Sequence, residues 1–411
     1  MDIVFIHGNF PGQFKHLAAG LASAGEHRVF FLTARDDADD SMIPGVIIRR
    51  FKEHRTPNIN THHYLVSTEE AVLKGQAVLR ALNELMEEGV QPRLVICHGG
   101  MGLGLFVKDL LPQATHIGLF EWYFRPDTTQ WLMQEFGFND RLLTRLRNLP
   151  ILEELESCDA GVVPTAWQKS QFPAEFGQKL NVIFDGIDTD FFKPDPSIDE
   201  KDVDLEGEEL DKPLRLSRDT PVLSYATRGM ETLRGFPEFL RLAASALRDI
   251  PELKVVIAGR DRRAYSYDAP SHNGSWKSLM LDELGDFEGR DRLHFTGLMP
   301  YQHYRTLLQR STLHCYFTRP YVTSWSLFEA AACGARLCVN QSKATESILF
   351  NQDQACWIDL DQPEENKSLL SEILAKGNAG IGRAQMDEKY SLNKCLPQWQ
   401  ALVNRCLAQN R

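Results

Sequence analysis

No C-x-x-C pair occurs among the eight cysteines (Cys97, Cys158, Cys315, Cys333, Cys338, Cys356, Cys395 and Cys406), most of which lie in apolar runs. Such thiols behave as small hydrophobes, so the pattern favours a reducing, cytoplasmic setting over a disulfide framework. No apolar run approaches the ~20 residues that a membrane span needs. The opening "MDIVFIHG" is a short apolar strand without a basic region before it, and a soluble chain is expected. No G-x-G-x-x-G fingerprint follows that strand: "HGNFPGQF" supplies Gly8 and Gly12, and "HGGMGLGLF" (98–106) offers only G-x-G-x-G. A nicotinamide dehydrogenase is therefore a weak reading. Nothing matches G-x-x-x-x-G-K-[ST], which removes P-loop ATP chemistry. No internal repeat suggests a solenoid.

Acid is in excess, but the excess is local. The 411 residues carry a net charge of −11. Residues 195–211, "DPSIDEKDVDLEGEELD", hold nine acids and one lysine, a net −8, which leaves −3 for the rest. That stretch reads as a solvated linker or loop, with a partner-binding patch as the lesser alternative.

What is present is repeated strand and helix punctuation. "DIVFI" (2–6), "HRVFFLTA" (27–34), "PRLVICHG" (92–99), "HIGLFEWYF" (116–124), "CDAGVVPT" (158–165) and "LNVIFDGID" (180–188) read as strands. Helical segments at 10–25 and 67–89 fall between them. After the acidic stretch the pattern restarts, with strands at 221–228, 253–260, 292–297, 313–319 and 335–342 and helices at 235–249, 301–311 and from 325. Continuous Val/Ile/Phe runs indicate parallel strands covered on both faces. Two Rossmann-like doubly wound α/β domains facing a central cleft are expected: 1–190, an acidic linker at 191–215, 216–385, and a helix at 386–411 that returns toward the first domain.

Ligands of such sheets sit outside the strands' carboxyl ends, so the loops there are the places to search. His98 ends a strand, where it is either merely hydrogen-bonded or functional. The glycine loops at 8–12 and 98–106 open helices; their amides either line a cleft or serve tight packing. In "YATRGMETLRGFPEF", Arg228 and Arg234 follow a strand and precede a helix. Two guanidiniums there suit a diphosphate, the alternative being solvated surface arginines. In "TSWSLFEAAACG", Ser326 and Glu329 have the S-x-x-E spacing of a capping box, which by itself explains the acid. The small apolar helix behind them suggests instead a core element whose positive end, with the amides of Ser324, Trp325 and Ser326, faces a phosphate. A carboxylate one turn inside would then accept ribose hydroxyls.

These residues resemble family-4 retaining glycosyltransferases of the two-domain GT-B fold. The resemblance runs through "FIHGNFPGQF", "PRLVICHGGMGLGLF", "DAGVVPTAWQKSQFP", "VIFDGIDTDFFKPD", "YATRGMETLRGFPEF" and, most specifically, "HFTGLMPYQHYRTLLQRSTLHCYFTRPYVTSWSLFEAAACGA". It implies that Arg228 and Arg234 bind the donor diphosphate, although the second is usually Lys and here sits one residue further along. It implies that Glu329 binds the ribose, that the Ser324–Ser326 amides hold phosphate, and that main chain at Leu298 and Met299 contacts the base. His98 would face the donor sugar, and Gly12 would lie near diphosphate and acceptor. Counting back eight from Glu329 reaches Tyr321, where the family's E-x7-E motif has its first Glu; sugar identity is thereby in doubt. No metal is implied, and no D-x-D is placed at a strand end where it would hold a metal on the donor phosphates, "DDADD" (36–40) reading as an exposed loop. The co-substrate implied is a UDP- or GDP-sugar, with a glycan, lipid-linked or small-metabolite acceptor and no nucleic acid. "RLLTRLRNLPIL" (141–152) is either an amphipathic core helix or a peripheral contact with the inner membrane face. A silent nucleotide-sugar-binding subunit and a sugar-nucleotide epimerase are the alternatives to a transferase.

Overall fold

Seven runs in the first half of the chain pair edge to edge: β1 (Asp2–His7), β2 (Arg28–Thr33), β3 (Val46–Arg50), β4 (Pro92–His98), β5 (Thr115–Leu119), β6 (Ala160–Val163) and β7 (Leu180–Val182). All pair in parallel, in the order β3-β2-β1-β4-β5-β6-β7. Every residue of β1 is buried, and in β4 only Arg93 is exposed. This is why their apolar runs are unbroken and not alternating. The computed structural model describes residues 1–349, 354–376 and 383–409. They form two units: Met1–Thr129, Phe136–Gly186 and Leu392–Arg411 in the first, Gln130–Glu135 and Ile187–Ser391 in the second. The C-terminal helix Leu392–Gln409 belongs to the first unit. Its Trp399, Leu402, Val403 and Cys406, spaced as one helical face, enter the core that holds Ile3, Phe5, Leu94 and Ile96.

In the second unit, β8 (Val203–Leu205) and β9 (Leu214–Leu216) form an antiparallel pair. The main sheet contains β10 (Val222–Gly229), β11 (Lys254–Arg260), β12 (Leu293–Gly297), β13 (Leu313–Tyr316), β14 (Leu337–Asn340) and β15 (Cys356–Ile358). These six are parallel, in the order β12-β11-β10-β13-β14-β15. Helix Phe236–Asp249 buries Phe236, Phe239, Leu240, Ala243 and Leu247 against this sheet. Full burial of each of the larger side chains is worth about 2–3 kcal/mol.

The stretch expected as an acidic linker, 191–215, is instead part of the second unit. Its apolar residues alternate with its acids, so Val203, Leu205, Leu214 and Leu216 turn inward with Ile198 onto Val222, Val256 and Leu307 while the carboxylates stay outside. Arg260 and Lys277 pair with Glu208 and Glu209. Other boundaries also differ from expectation. The helix expected from residue 10 begins at Lys15, because Gly12 takes a left-handed φ of 53°. The strands expected to reach 124 and 188 end at Leu119 and Val182. Residues 141–152 divide between helices Phe138–Leu146 and Leu149–Ser157, with Pro150 in the first turn of the second.

Candidate functional site

In each sheet the strand order reverses beside its first long strand, between β1 and β4 and between β10 and β13. The loops there diverge to opposite faces and leave the strand ends accessible to a ligand. The candidate residues gather at these two points, each within its own unit.

In the first unit β1 ends on His7 and the adjacent β4 on His98, with ring centroids 4.4 Å apart. Glu121 follows β5, and its Oε2 lies 3.2 Å from His98 Nε2. Burial alone would push the His98 imidazole down, but the bond to Glu121 and its charge hold it above the usual histidine value. Burial would likewise lift Glu121, and His98, with the Gln13 bond and His7, more than offsets this, keeping Glu121 below the usual carboxylate range. His7 is driven down to about 3 by burial and by its neighbour His98. Gly12 is required here: a Cβ on it would lie 2.6 Å from His7 Nε2.

The glycine loop after His98 does not offer its amides to a ligand, contrary to one of the expectations for it. Glu154, from helix Leu149–Ser157, accepts from Gly100 N at 2.8 Å and Gly102 N at 2.7 Å, and Gly104 N adds a further backbone bond. The carboxyl is 1% exposed, and burial pushes it up to about 7. The glycines are there for close approach. A Cβ on Gly102, at φ 91°, would lie 2.1 Å from the Ala71 carbonyl oxygen.

In the second unit Arg228 lies exposed near the end of β10, whereas Arg234, in the turn that leads to helix Phe236–Asp249, is 6% exposed. Arg234 is thus not the surface arginine that spacing alone permitted. Its Nη1 donates to Thr318 Oγ1 at 2.8 Å and to the Val322 carbonyl at 3.0 Å. The Tyr265 ring lies by both guanidiniums, 6.0 Å from Arg228 and 5.3 Å from Arg234, and its centroid is 5.8 Å from that of Tyr321. Tyr265 is seated by Glu231, a fully buried acid whose Oε2 accepts from the amides of Ala264, Tyr265 and Ser266, each at 3.0 Å.

The helix containing Glu329 runs from Trp325 to Ala332 and is capped by Ser324, not Ser326. Ser324 Oγ accepts from Ser326 N at 3.4 Å, while Ser324 N donates to the Tyr316 hydroxyl at 2.8 Å. The capping box of Ser326 and Glu329 is therefore not formed, because the Ser326 amide is already engaged. Glu329 is instead the fifth residue of the helix, 6% exposed. Burial pushes it up to about 7, with the Tyr304 hydroxyl acting the other way.

Leu298 and Met299 follow β12. Leu298 is 56% exposed and Met299 is buried, and the Leu298 carbonyl accepts from Glu208 N of the acidic segment at 3.0 Å. Sequence reasoning missed His7, Gln13, Glu121, Glu154, Glu231 and Tyr265. Glu121 and Glu231 carried one weak signal, a lone Glu inside an apolar or glycine-rich stretch, whereas Glu154, beside Glu153 and Glu156, carried none. Among the described residues no group of three His, Cys, Asp or Glu is arranged to hold a metal, and no helix is long and apolar enough to cross a membrane.

A model of the glycosyl transferase family 4 group matches residues 25–192. The structure is similar to sucrose-phosphate synthase from Thermosynechococcus elongatus, with a TM-score of 0.71 and 14% identity over 100% of both chains. It is also similar to HepE from Anabaena, solved in complex with UDP-glucose, with a TM-score of 0.65 and 12% identity over 98% of this chain and 100% of that one. The lipopolysaccharide outer core galactosyltransferase WaaB gives a TM-score of 0.59 and 12% identity over 98% of this chain and 99% of its own. No curated protein matches the sequence.

Proposed function

We propose that this chain, which has the GT-B fold and whose residues 25–192 match a model of the glycosyl transferase family 4 group, is a transferase of that group that moves a sugar from a nucleotide-sugar donor to a glycan, lipid-linked or small-metabolite acceptor with retention at the anomeric carbon. The observation that carries this reading is Glu329. A carboxyl 6% exposed in a small-residue helix, with no capping duty, has a strong tendency to take hydrogen-bond donors, and a ribose diol supplies two. The Trp325 amide and the guanidiniums of Arg228 and Arg234 receive the diphosphate, and the main chain at Leu298 and Met299 receives the base; the Ser324 and Ser326 amides, expected to join them, are taken by the Tyr316 hydroxyl and by Ser324 Oγ. Arg234 is held by Thr318 and the Val322 carbonyl, so its position is fixed before ligand arrives. Tyr321 and its neighbour Tyr265 meet the donor sugar where relatives have an acid. In the first unit His98 is the candidate contact of a donor sugar, and Gly12 keeps its loop against His7.

In this scheme the bond from the anomeric carbon to the diphosphate oxygen breaks as the acceptor oxygen adds on the same face. The leaving diphosphate takes the acceptor's proton. No side chain acts as nucleophile; the chain's task is to hold positive charge where negative charge develops. Removal of one such preorganised donor costs about 3 kcal/mol, roughly a hundredfold in rate.

UDP-glucose is the first donor to test, since HepE was solved with it. In a panel of UDP-, GDP-, ADP- and dTDP-sugars, one donor is expected to raise the melting temperature and to release nucleotide slowly. Stabilisation without turnover, even with acceptor extracts, would point to a silent binding subunit, which the Tyr321 departure favours; inversion of the sugar without nucleotide release would point to an epimerase. The setting proposed is cytoplasmic with a peripheral contact at an anionic membrane face. Helix Phe138–Leu146 supports it with an exposed stripe of Phe138, Arg141, Leu142 and Arg145, of which Phe138 is 74% exposed. Arg141→Glu with Arg145→Glu should then abolish sedimentation with anionic vesicles.

A further inference from the structure

Four side chains of the first unit form one unbranched chain of hydrogen bonds that ends on His98, and each link fixes the next. Asn9 N donates to His7 Nδ1 at 2.8 Å, so the His7 proton sits on Nε2. That N–H faces Gln13 Oε1 at 2.7 Å, and the other end of the carboxamide, Nε2, donates to Glu121 Oε1 at 2.6 Å. Glu121 Oε2 then faces His98 Nε2 at 3.2 Å. Glu121 is held below the usual carboxylate range and is ionised, so both of its oxygens accept. His98 must therefore carry a proton on Nε2, and its remaining ring nitrogen, Nδ1, is the one left for a ligand.

The chain also settles a conflict. Two imidazoles with centroids 4.4 Å apart cannot both be charged cheaply. The Asn9 amide occupies the nitrogen His7 would need to protonate, and Glu121 supplies the counter-charge at His98. The other charged groups acting on His98 are Glu154, from helix Leu149–Ser157, and Asp185, after β7; both also favour its protonated form. Gly12 makes the arrangement possible, because only a residue without Cβ lets the loop bring Gln13 over the His7 ring.

We propose that Glu121 and Gln13 are positioning residues that hold His98 as an imidazolium, with Nδ1–H presented to oxygen atoms of the bound sugar nucleotide, while His7 is held neutral. The presentation to a sugar nucleotide rests on the transferase reading above; the protonation pattern does not. The first test is a two-dimensional NMR titration of the histidine rings in the full chain, assigned with single His7→Gln and His98→Gln variants. His98 should titrate above the ordinary value of about 6.5, and Glu121→Gln, which keeps the side-chain shape, should lower it by about one unit or more. His7 should stay neutral with its proton on Nε2 throughout. Gln13→Met should lower His98 by less and provides the second variant if Glu121→Gln folds poorly, as judged by circular dichroism. An unmoved His98 titration in both variants overturns the proposal, as does a His7 that titrates before His98. With a donor found by the panel, kcat/KM should fall as pH rises through the His98 value, and Glu121→Gln should move that limb to lower pH; an unmoved limb overturns the presentation to substrate. A chain that turns over no sugar nucleotide but shows the NMR pattern would refute the transferase reading alone.

Discussion

Glu154 in the first unit and Glu329 in the second occupy nearly the same environment and do opposite things with it. Each lies on a short helix, is at most 6% exposed, and is pushed up to about 7 by burial. Glu154 is surrounded by backbone donors from a glycine loop, so its hydrogen-bonding capacity is spent inside the protein. Around Glu329 the opposing influence is a single tyrosine hydroxyl. A buried carboxyl that its own fold satisfies is part of the scaffold, whereas one left with little is prepared for a ligand's donors. From sequence the glycine loop was open between lining a cleft and tight packing, and Glu329 between a helix cap and a ribose ligand, while Glu154 drew no notice.

The contrast is sharpest on removal of each acid. Glu154→Ala strands at least two glycine amides, that of Gly102 buried and that of Gly100 partly buried, at ~1–3 kcal/mol for each that water cannot reach. A stability loss of about 3 kcal/mol or more is expected by denaturant titration at constant m-value, and a loss under about 1 kcal/mol would show that the loop does not depend on the acid. Glu329→Gln should leave the fold at least as stable while weakening nucleotide binding by about 2 kcal/mol, roughly thirtyfold, measured by calorimetry. Normal binding with a lower melting temperature would return Glu329 to the scaffold.

In the pH dependence of stability the two acids act alike, and substitution apportions the slope between them. Both acids have folded values near 7, above the unfolded value of about 4.3. The stability they contribute is therefore complete below that unfolded value and is lost as pH rises through 7, at up to about 1.4 kcal/mol per pH unit for each. Glu329→Gln should remove its share of this slope between about pH 5 and 7; an unchanged slope would mean that Glu329 is not buried as an acid. The smallest effect is at the cap. Ser324→Ala should cost about 1 kcal/mol and Ser326→Ala only a few tenths, and the reverse order would restore the capping box.

Much of the architecture was legible because it is local. An unbroken run of Val, Ile, Phe or Leu states a buried strand wherever it occurs, and β1, β2, β4 and β11 all follow that rule. The edge strands β3 and β15 escaped it, being short and partly exposed. The positions of His98, Arg228, Arg234 and Glu329 were legible for a related reason, since a doubly wound sheet aims the ends of its strands and the helices after them at one face.

The sequence by itself thus determined two doubly wound sheets and the residue types at their carboxyl ends. Only the tertiary structure decided which donor meets which acceptor. Gln13 finds Glu121 across 108 positions, and Glu154 finds Gly100 across 54. Ser324 rather than Ser326 became the cap of its helix, and the Ser324 amide is held by Tyr316 of the preceding strand. The physical reason is range. Strand and helix preferences act over a few neighbours, whereas a buried polar atom must be satisfied by whatever the completed fold brings within about 3 Å.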